Sequence, residues 1–240
     1  PTVRDALARV AEHVAGSPHT SWWIGAIARE DQHSITWDDG APARDQMSTA
    51  ERLTRWRTDV AQQEQRARRR RPCGGEWWST PPWGLLRTTR SLAGHGPLGL
   101  WLVEDGQGWE RATTRAVSVP DGARVYEVDD AKAWAELCRS HPVEVTAQKR
   151  SDWYHTTGRD GRWVLPDWER VAREYDAVHL TAAGYLTAAG TAIDVDDNTA
   201  SVIADWNPDE TYWLTDAPVA AAAATQWSRN PGSGWTPRAT

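Results

Sequence analysis

A chain of 240 residues with 25% charged and 40% hydrophobic residues is long enough to bury a core without metals or disulfides, and this composition excludes the disordered class. A net charge of −6 excludes a protein whose whole surface grips nucleic acid, leaving room only for a local basic patch. No window of about 18 apolar residues is present, which excludes a hydrophobic spanning helix.

Cys73 and Cys138 are far apart and form no Cys-x-x-Cys, so neither a disulfide scaffold nor a cysteine zinc site is expected. Charges at Arg4, Asp5, Arg9 and Glu12 leave no signal-peptide core, and a reducing, cytoplasmic setting follows as the expectation. The chain holds 17 Trp, 5 Tyr and no Phe. Each buried indole brings an N–H that needs an acceptor, so the core should be richer in hydrogen bonds than a Phe core. The Trp residues are dispersed through nearly every element, which favours a structural role over base stacking.

In chain order, Thr2 and Asp5 form a capping box for a helix with Val3, Leu7, Val10 and Val14 on one face, ending at Gly16. Strands are predicted over 20–27 and 34–37 around the turn Glu30-Asp31-Gln32. Ser48 and Glu51 make a second capping box, for a helix carrying Leu53, Trp56 and Val60 inward. Past Val60 the apolar stripe stops and a polar run ends in the basic block Arg66–Arg71, which reads either as a solvated helix end complementing the helix dipole or as a contact for a partner.

The turn-dense stretch 72–84 then separates a helical N-terminal region, 1–71, from an α+β region, 72–216, expected to pack as one unit. Strands follow over 85–89, 98–104, 111–119 and 124–128, with turns at Asp105-Gly106 and Asp121-Gly122. Asp129-Asp130 caps a helix to Ser140 that turns Ala133, Trp134, Leu137 and Cys138 inward, and a strand spans 143–146. A loop then runs to Val164. Pro166-Asp167 opens a helix with Trp168, Val171, Ala172 and Tyr175 on one face, before strands over 177–180, 201–204 and 211–214. Residues 217–240 read as an Ala/Pro/Gly-rich tail that Trp227 and Trp235 pin back. Strands and helices alternate irregularly, so the fold class is α+β: a helical N-terminal part plus a mixed, mostly antiparallel sheet with flanking helices.

The chain lacks a P-loop, and Gly94-His95-Gly96-Pro97-Leu98-Gly99 leads into a predicted strand where a phosphate cradle must open a helix. Zinc patterns are absent as well, and no metal site is expected. Asp176-x-x-His179-Leu-Thr-x-x-Gly184-Tyr resembles the last block of the SGNH hydrolases, which implies Asp176 orienting His179 as a base for serine. The chain has no Gly-Asp-Ser to supply that serine. In an unbroken strand, residues three apart also point to opposite faces.

The order from Trp77-Trp78-Ser79-Thr80 through Leu100–Glu104 and Val125–Val128 to Trp168 and Tyr175-Asp176-Ala177-Val178 resembles a family of Trp-rich actinobacterial proteins. The Ser-Thr pair and the later Tyr-Asp-x-Val also resemble the ADP-ribosyltransferase fold. That resemblance implies NAD as substrate, Ser79 and Thr80 shaping a nicotinamide cleft, Arg87 or Arg90 on the diphosphate, and an acid stabilising the oxocarbenium ion. In that family the Arg precedes the Ser-Thr pair and a Glu-x-Glu or Gln-x-Glu comes late. Here the arginines follow the pair, and Glu127 and Glu144 are single acids.

The stretch 151–163 gathers Tyr154, His155, two arginines and hydroxyls, either as a ligand loop or as a surface hairpin turning at Gly158 and Gly161. Asp205, Asp209 and Glu210 sit at a turn, as pocket acids or as turn formers. The candidate catalytic residues are therefore His155, His179 and Asp176, with Ser79, Thr80, Arg87, Arg90, Trp78 and Tyr154 as cofactor-binding candidates. The leading expectation is an NAD- or nucleotide-binding enzyme of transferase-like form. The alternatives are a non-catalytic interaction protein contacting a protein partner through Arg66–Arg71 and exposed Trp, and an SGNH-like hydrolase.

Overall fold

The computed structural model describes residues 10, 13–14, 16–38, 47–69, 74–104, 106, 108–230, 232 and 234–238. Most of the helix predicted over 2–16 lies outside the described residues, as do Arg70, Arg71, Cys73 and Asp105. In chain order the described elements begin with a 3-10 turn Pro18–Ile24, β1 (Gln32–Trp37), α1 (Thr49–Arg68), β2 (Arg87–Thr88), β3 (Ser91–Leu92) and β4 (Gly96–Pro97). A 3-10 turn Leu98–Leu100, β5 (Arg111–Ser118), β6 (Val125–Val128), α2 (Ala131–Ser140), β7 (Pro142–Glu144), α3 (Thr146–Thr157) and β8 (Arg162–Pro166) follow. The chain continues with α4 (Trp168–Val171), β9 (Ala177–Leu180), α5 (Ala182–Ala188), β10 (Ile193–Asp194), β11 (Thr199–Ser201), β12 (Glu210–Trp213), β13 (Val219–Ala220), β14 (Thr225–Asn230) and β15 (Gly234–Pro237).

The class is α+β. Among the described residues the strands are divided among sheets: β1-β5-β14-β15 with β13 also on β5, then β2-β12-β9-β6, then β10-β11-β8-β7, and the small hairpin β3-β4. Parallel pairing joins β6 to β9 and β11 to β8, and the remaining pairs are antiparallel. Such mixed sheets suit a chain whose helices α2, α3 and α4 sit between the strands β6 and β9 that pair in parallel.

The predicted caps act locally. Ser48 accepts from the Glu51 amide while the Glu51 side chain returns to the Ser48 amide, and Asp130 accepts from the Ala133 amide. Leu53 and Val60 of α1 are buried and Trp56 packs on the same core, while α1 lies against α3 and α4.

Four expectations are corrected. Residues 18–24 form a 3-10 turn, because Pro18 is set for the first helical position and Ser17 accepts from the His19 amide. Leu98–Leu100 also turns: a Cβ at Gly99 would lie 2.8 Å from the Ile35 side chain, so only a close-packed backbone passes there. The predicted loop 151–163 is the second half of α3, its turn at Gly158 (φ 74°) and strand β8. The expected tail instead carries strands β13, β14 and β15, where Trp227 and Trp235 are buried.

Indole fills the core. Trp134, Trp168 and Trp206 form a triangle with ring centroids 5.9 to 6.1 Å apart. Their environment is polar at the edges: Trp134 Nε1 donates to Ser201 Oγ at 3.0 Å, Trp206 Nε1 to the Glu210 carbonyl at 3.1 Å, Trp213 Nε1 to Thr88 Oγ1 at 2.9 Å and Trp153 Nε1 to the Trp77 carbonyl at 2.7 Å. Among the described residues Trp168 Nε1, itself buried, has no acceptor. At Gly184, a Cβ would overlap the Val128 carbonyl oxygen, so this glycine lets α5 start against the end of β6.

Candidate functional site

His179 lies on β9, where all four residues are buried, between β12 and β6. The parallel register sets Glu127 of β6 beside it, and Nδ1 meets Glu127 Oε2 at 2.5 Å while Nε2 faces Asp209 Oδ1 at 3.4 Å. Asp209 in turn accepts from Arg90 Nε at 2.7 Å, from the Arg90 amide at 3.2 Å and from Thr89 Oγ1 at 3.4 Å. Arg90 Nη2 donates to the Ala26 carbonyl, and Glu127 Oε1 accepts from the Ile27 amide. Burial by itself would lower the imidazole pKa, but its hydrogen bonds to Asp209 and Glu127 outweigh it and raise the pKa above its ordinary value. Two carboxylates, Glu127 and Asp209, thus close on one imidazole and one guanidinium. Because both ring nitrogens face acids, neither is left for a serine.

The other two catalytic candidates lie elsewhere. Asp176 accepts from the Arg124 amide at 2.8 Å and pairs with its guanidinium, which holds the carboxyl below the ordinary carboxylate range. His155 is exposed on α3 and its Nδ1 lies 2.6 Å from the Ser151 carbonyl one turn back. Tyr154 is half exposed beside it. The structure brings none of His155, Asp176 and His179 together.

Among the cofactor candidates, Ser79 is buried and tied to residue 204, its Oγ accepting from the Ala204 amide at 2.8 Å and donating to the Ala204 carbonyl at 3.2 Å. Arg87 pairs with Glu210 at 3.6 Å and lies over the Tyr212 ring, and the Tyr212 hydroxyl connects with both Thr80 and Arg87. Glu210 is buried, its Oε2 has no partner among the described residues, and burial drives its pKa up. Arg90 belongs to the His179 network. Trp78 and Thr80 alone of the predicted set line a large cavity.

That cavity, about 530 Å³, opens between α1 and the 76–83 loop. Trp56, Trp78 and Trp83 bring indole to its walls, Arg52, Arg55 and Asp59 come from α1, the buried Gln148 and Lys149 come from α3, and Asp205 completes the lining. Asp152 of α3 fixes the loop by accepting from the Gly75 and Glu76 amides at 2.9 and 3.0 Å. Lys149 is 3% exposed; its Nζ donates to the Trp78 carbonyl at 2.8 Å and stands 4.8 Å from the Trp78 ring centroid. Burial pulls the ammonium pKa down to about 8, against the opposing charges of Glu76, Asp152 and Asp205.

Sequence reasoning missed Lys149, although one signal was available: Lys132 and Lys149 are the two lysines of a chain with 25 arginines. Arg68 of the basic block pairs with Glu64 at 3.1 Å and Glu144 at 3.3 Å, and burial pushes the Cys138 thiol up to about 12. Among the described residues no group of three or more His, Cys, Asp or Glu is placed to hold a metal ion, and no helix is long and apolar enough to cross a membrane. No protein-family model, curated protein or solved structure matches this chain.

Proposed function

We propose that the chain binds a planar, anionic heterocycle of the nucleotide class in the cleft between α1 and the 76–83 loop, with NAD the first member to test. The observation that carries this reading is the concentration of Trp56, Trp78 and Trp83 at one cavity of about 530 Å³, within the range of roughly 300–1,000 Å³ that small-ligand sites occupy. Trp83 is 82% exposed and Trp78 42%, and a ring stacked on either would cover that apolar surface. The guanidiniums of Arg52 and Arg55 line the same cleft for an anionic group, and Thr80 and Gln63 offer partners for hydroxyls.

In the transferase form of this reading, a cleft acid, Glu76 or Asp205, stabilises positive charge on the ribose as the glycosidic bond opens. Ser79, Arg87 and Arg90 take no part in it, being committed to Ala204, Glu210 and Asp209.

The test is intrinsic tryptophan fluorescence titrated with NAD and with adenosine monophosphate. A saturable change is expected, with affinity weakened about tenfold in Trp78→Ala, since stacking on an aromatic side chain contributes roughly 1–3 kcal/mol. A flat titration up to millimolar ligand rejects the reading.

A further inference from the structure

We infer that Lys149 is a reactive amine at the floor of the cleft, placed to condense with the carbonyl of a planar heteroaromatic aldehyde that carries an anionic group. This rests on the cleft reading above and adds the ligand's reactive group.

Composition gives the first argument. The chain uses Arg for its cations in 25 positions and Lys in two, and Asp167, Asp176, Asp209 and Glu210 each pair with an arginine. Guanidinium cannot give up its proton in a protein, whereas a buried ammonium can, so a lysine at this one buried position supplies something the arginines do not: a lone pair. Lys132 lies exposed on α2, which leaves Lys149 as the amine enclosed by a cavity.

Placement gives the second. The Nζ is anchored over the Trp78 ring, so a heterocycle lying against that wall carries an exocyclic carbonyl beside the amine. Arg52 and Arg55 on α1 line the facing wall, where an anionic substituent fits. The charges around Nζ are Glu76 and Asp205 from the loops, Asp152 from its own helix, and Arg52, Arg55 and Asp59 from α1. With the amine pKa lowered to about 8, its neutral fraction near neutrality is about 300-fold that of an ordinary lysine.

The step balances without any oxidant or reductant. The neutral nitrogen attacks the carbonyl carbon, a C–N bond forms, and the C=O π pair moves to oxygen, which takes up the proton released from nitrogen. The carbinolamine then expels its hydroxyl as water while nitrogen loses its second proton, giving an imine between Lys149 and the ligand.

Pyridoxal 5′-phosphate is the probe, being a planar pyridine aldehyde with a phosphate, and pyridoxine 5′-phosphate is its counterpart without a carbonyl. After borohydride reduction at pH about 7.5, peptide mass mapping should find Lys149 labelled at least about 10-fold faster than Lys132. The rate should fall as pH drops below about 8. Pyridoxine phosphate should slow the labelling, and Lys149→Arg should abolish it. If that variant does not fold, the ratio of the two lysines within the wild-type chain decides. Lys132 reacting as fast as Lys149, or labelling that pyridoxine phosphate does not slow, overturns the inference. Fluorescence quenching by pyridoxine phosphate without label on Lys149 overturns it too and leaves the cleft reading standing, whereas neither quenching nor label removes both.

Discussion

Asp209 holds a left-handed backbone, φ 58°, which Asp tolerates better than most residues, and in this pose its buried carboxylate reaches both Arg90 and His179. The network has a pH signature whose sign follows from the raised His179 pKa. A group that binds its proton more tightly in the folded chain adds stability that is fully present below the ordinary value of 6.5 and is lost as pH rises through the folded value. Melting temperature should therefore fall on going from pH about 6.5 to higher pH, and His179→Gln should flatten that slope; a wild-type slope that survives the substitution refutes the assignment. Asp209→Asn keeps the shape and the backbone preference but leaves Arg90 without its acid, at a cost of about 3–5 kcal/mol in urea unfolding. At this scale the sequence was partly legible. His179 could be singled out from sequence, but the acids beside it could not, because Asp176 is near in sequence while Glu127 and Asp209 arrive through strand pairing. Lys149 escaped notice because a single lysine has no motif, and its meaning comes from the cavity around it.

Helix α3 shows why element assignment failed at one place and succeeded at others. Its N-cap Val145 makes no side-chain cap, and the first turn is closed instead by Glu64 of α1, whose carboxylate accepts from the Ala147 amide at 2.9 and 3.0 Å and from the Gln148 amide at 3.1 Å. Ser48 and Asp130 cap from within their own segments and were legible; a cap supplied from 83 residues away is not. The same contact explains the polar end of α1. Past Val60 the inward face continues as Glu64, buried at the positive end of a second helix, with Arg68 paired to it from outside. Because Lys149 sits on the first turn of α3, this cap also sets the floor of the cleft. Glu64→Ala should destabilise the chain by about 2 kcal/mol, the cost of orphaning buried amides, and should weaken ligand-induced fluorescence changes in parallel. Unchanged stability would show that α3 is capped some other way.

For the molecule as a whole, the question is whether residues 217–238 are an appendage or half of a sheet. Strand β5 has β1 on one edge, and β13 and β14 on the other. Trp227 and Trp235 bury against Leu100 and Ala112, next to the stacked pair Trp37–Trp109 at 4.5 Å, and Trp227 Nε1 donates to Thr114 Oγ1 of β5. The packing is reciprocal at two glycines: a Cβ at Gly96 would overlap the Trp227 ring, and one at Gly234 would overlap the Trp101 ring. A composition of Ala, Pro, Gly and Ser hides all this, since the strand signal resides in two indoles whose partners lie more than a hundred residues earlier. The sheet is also joined to the rest, because His33 of β1 bridges Thr89, whose hydroxyl reaches Asp209. Ending the chain at Asp216 therefore does more than shorten it. It bares the β5 edge and the Trp37–Trp109 face together, and through Thr89 it loosens the His179 network. The truncated chain should bind a hydrophobic dye, elute as aggregates in size exclusion, and lose the cooperative melt of the full chain. A monomeric truncation that melts as the full chain does would show that the sheet ends at β5 in energetic terms, and that β13, β14 and β15 only rest upon it.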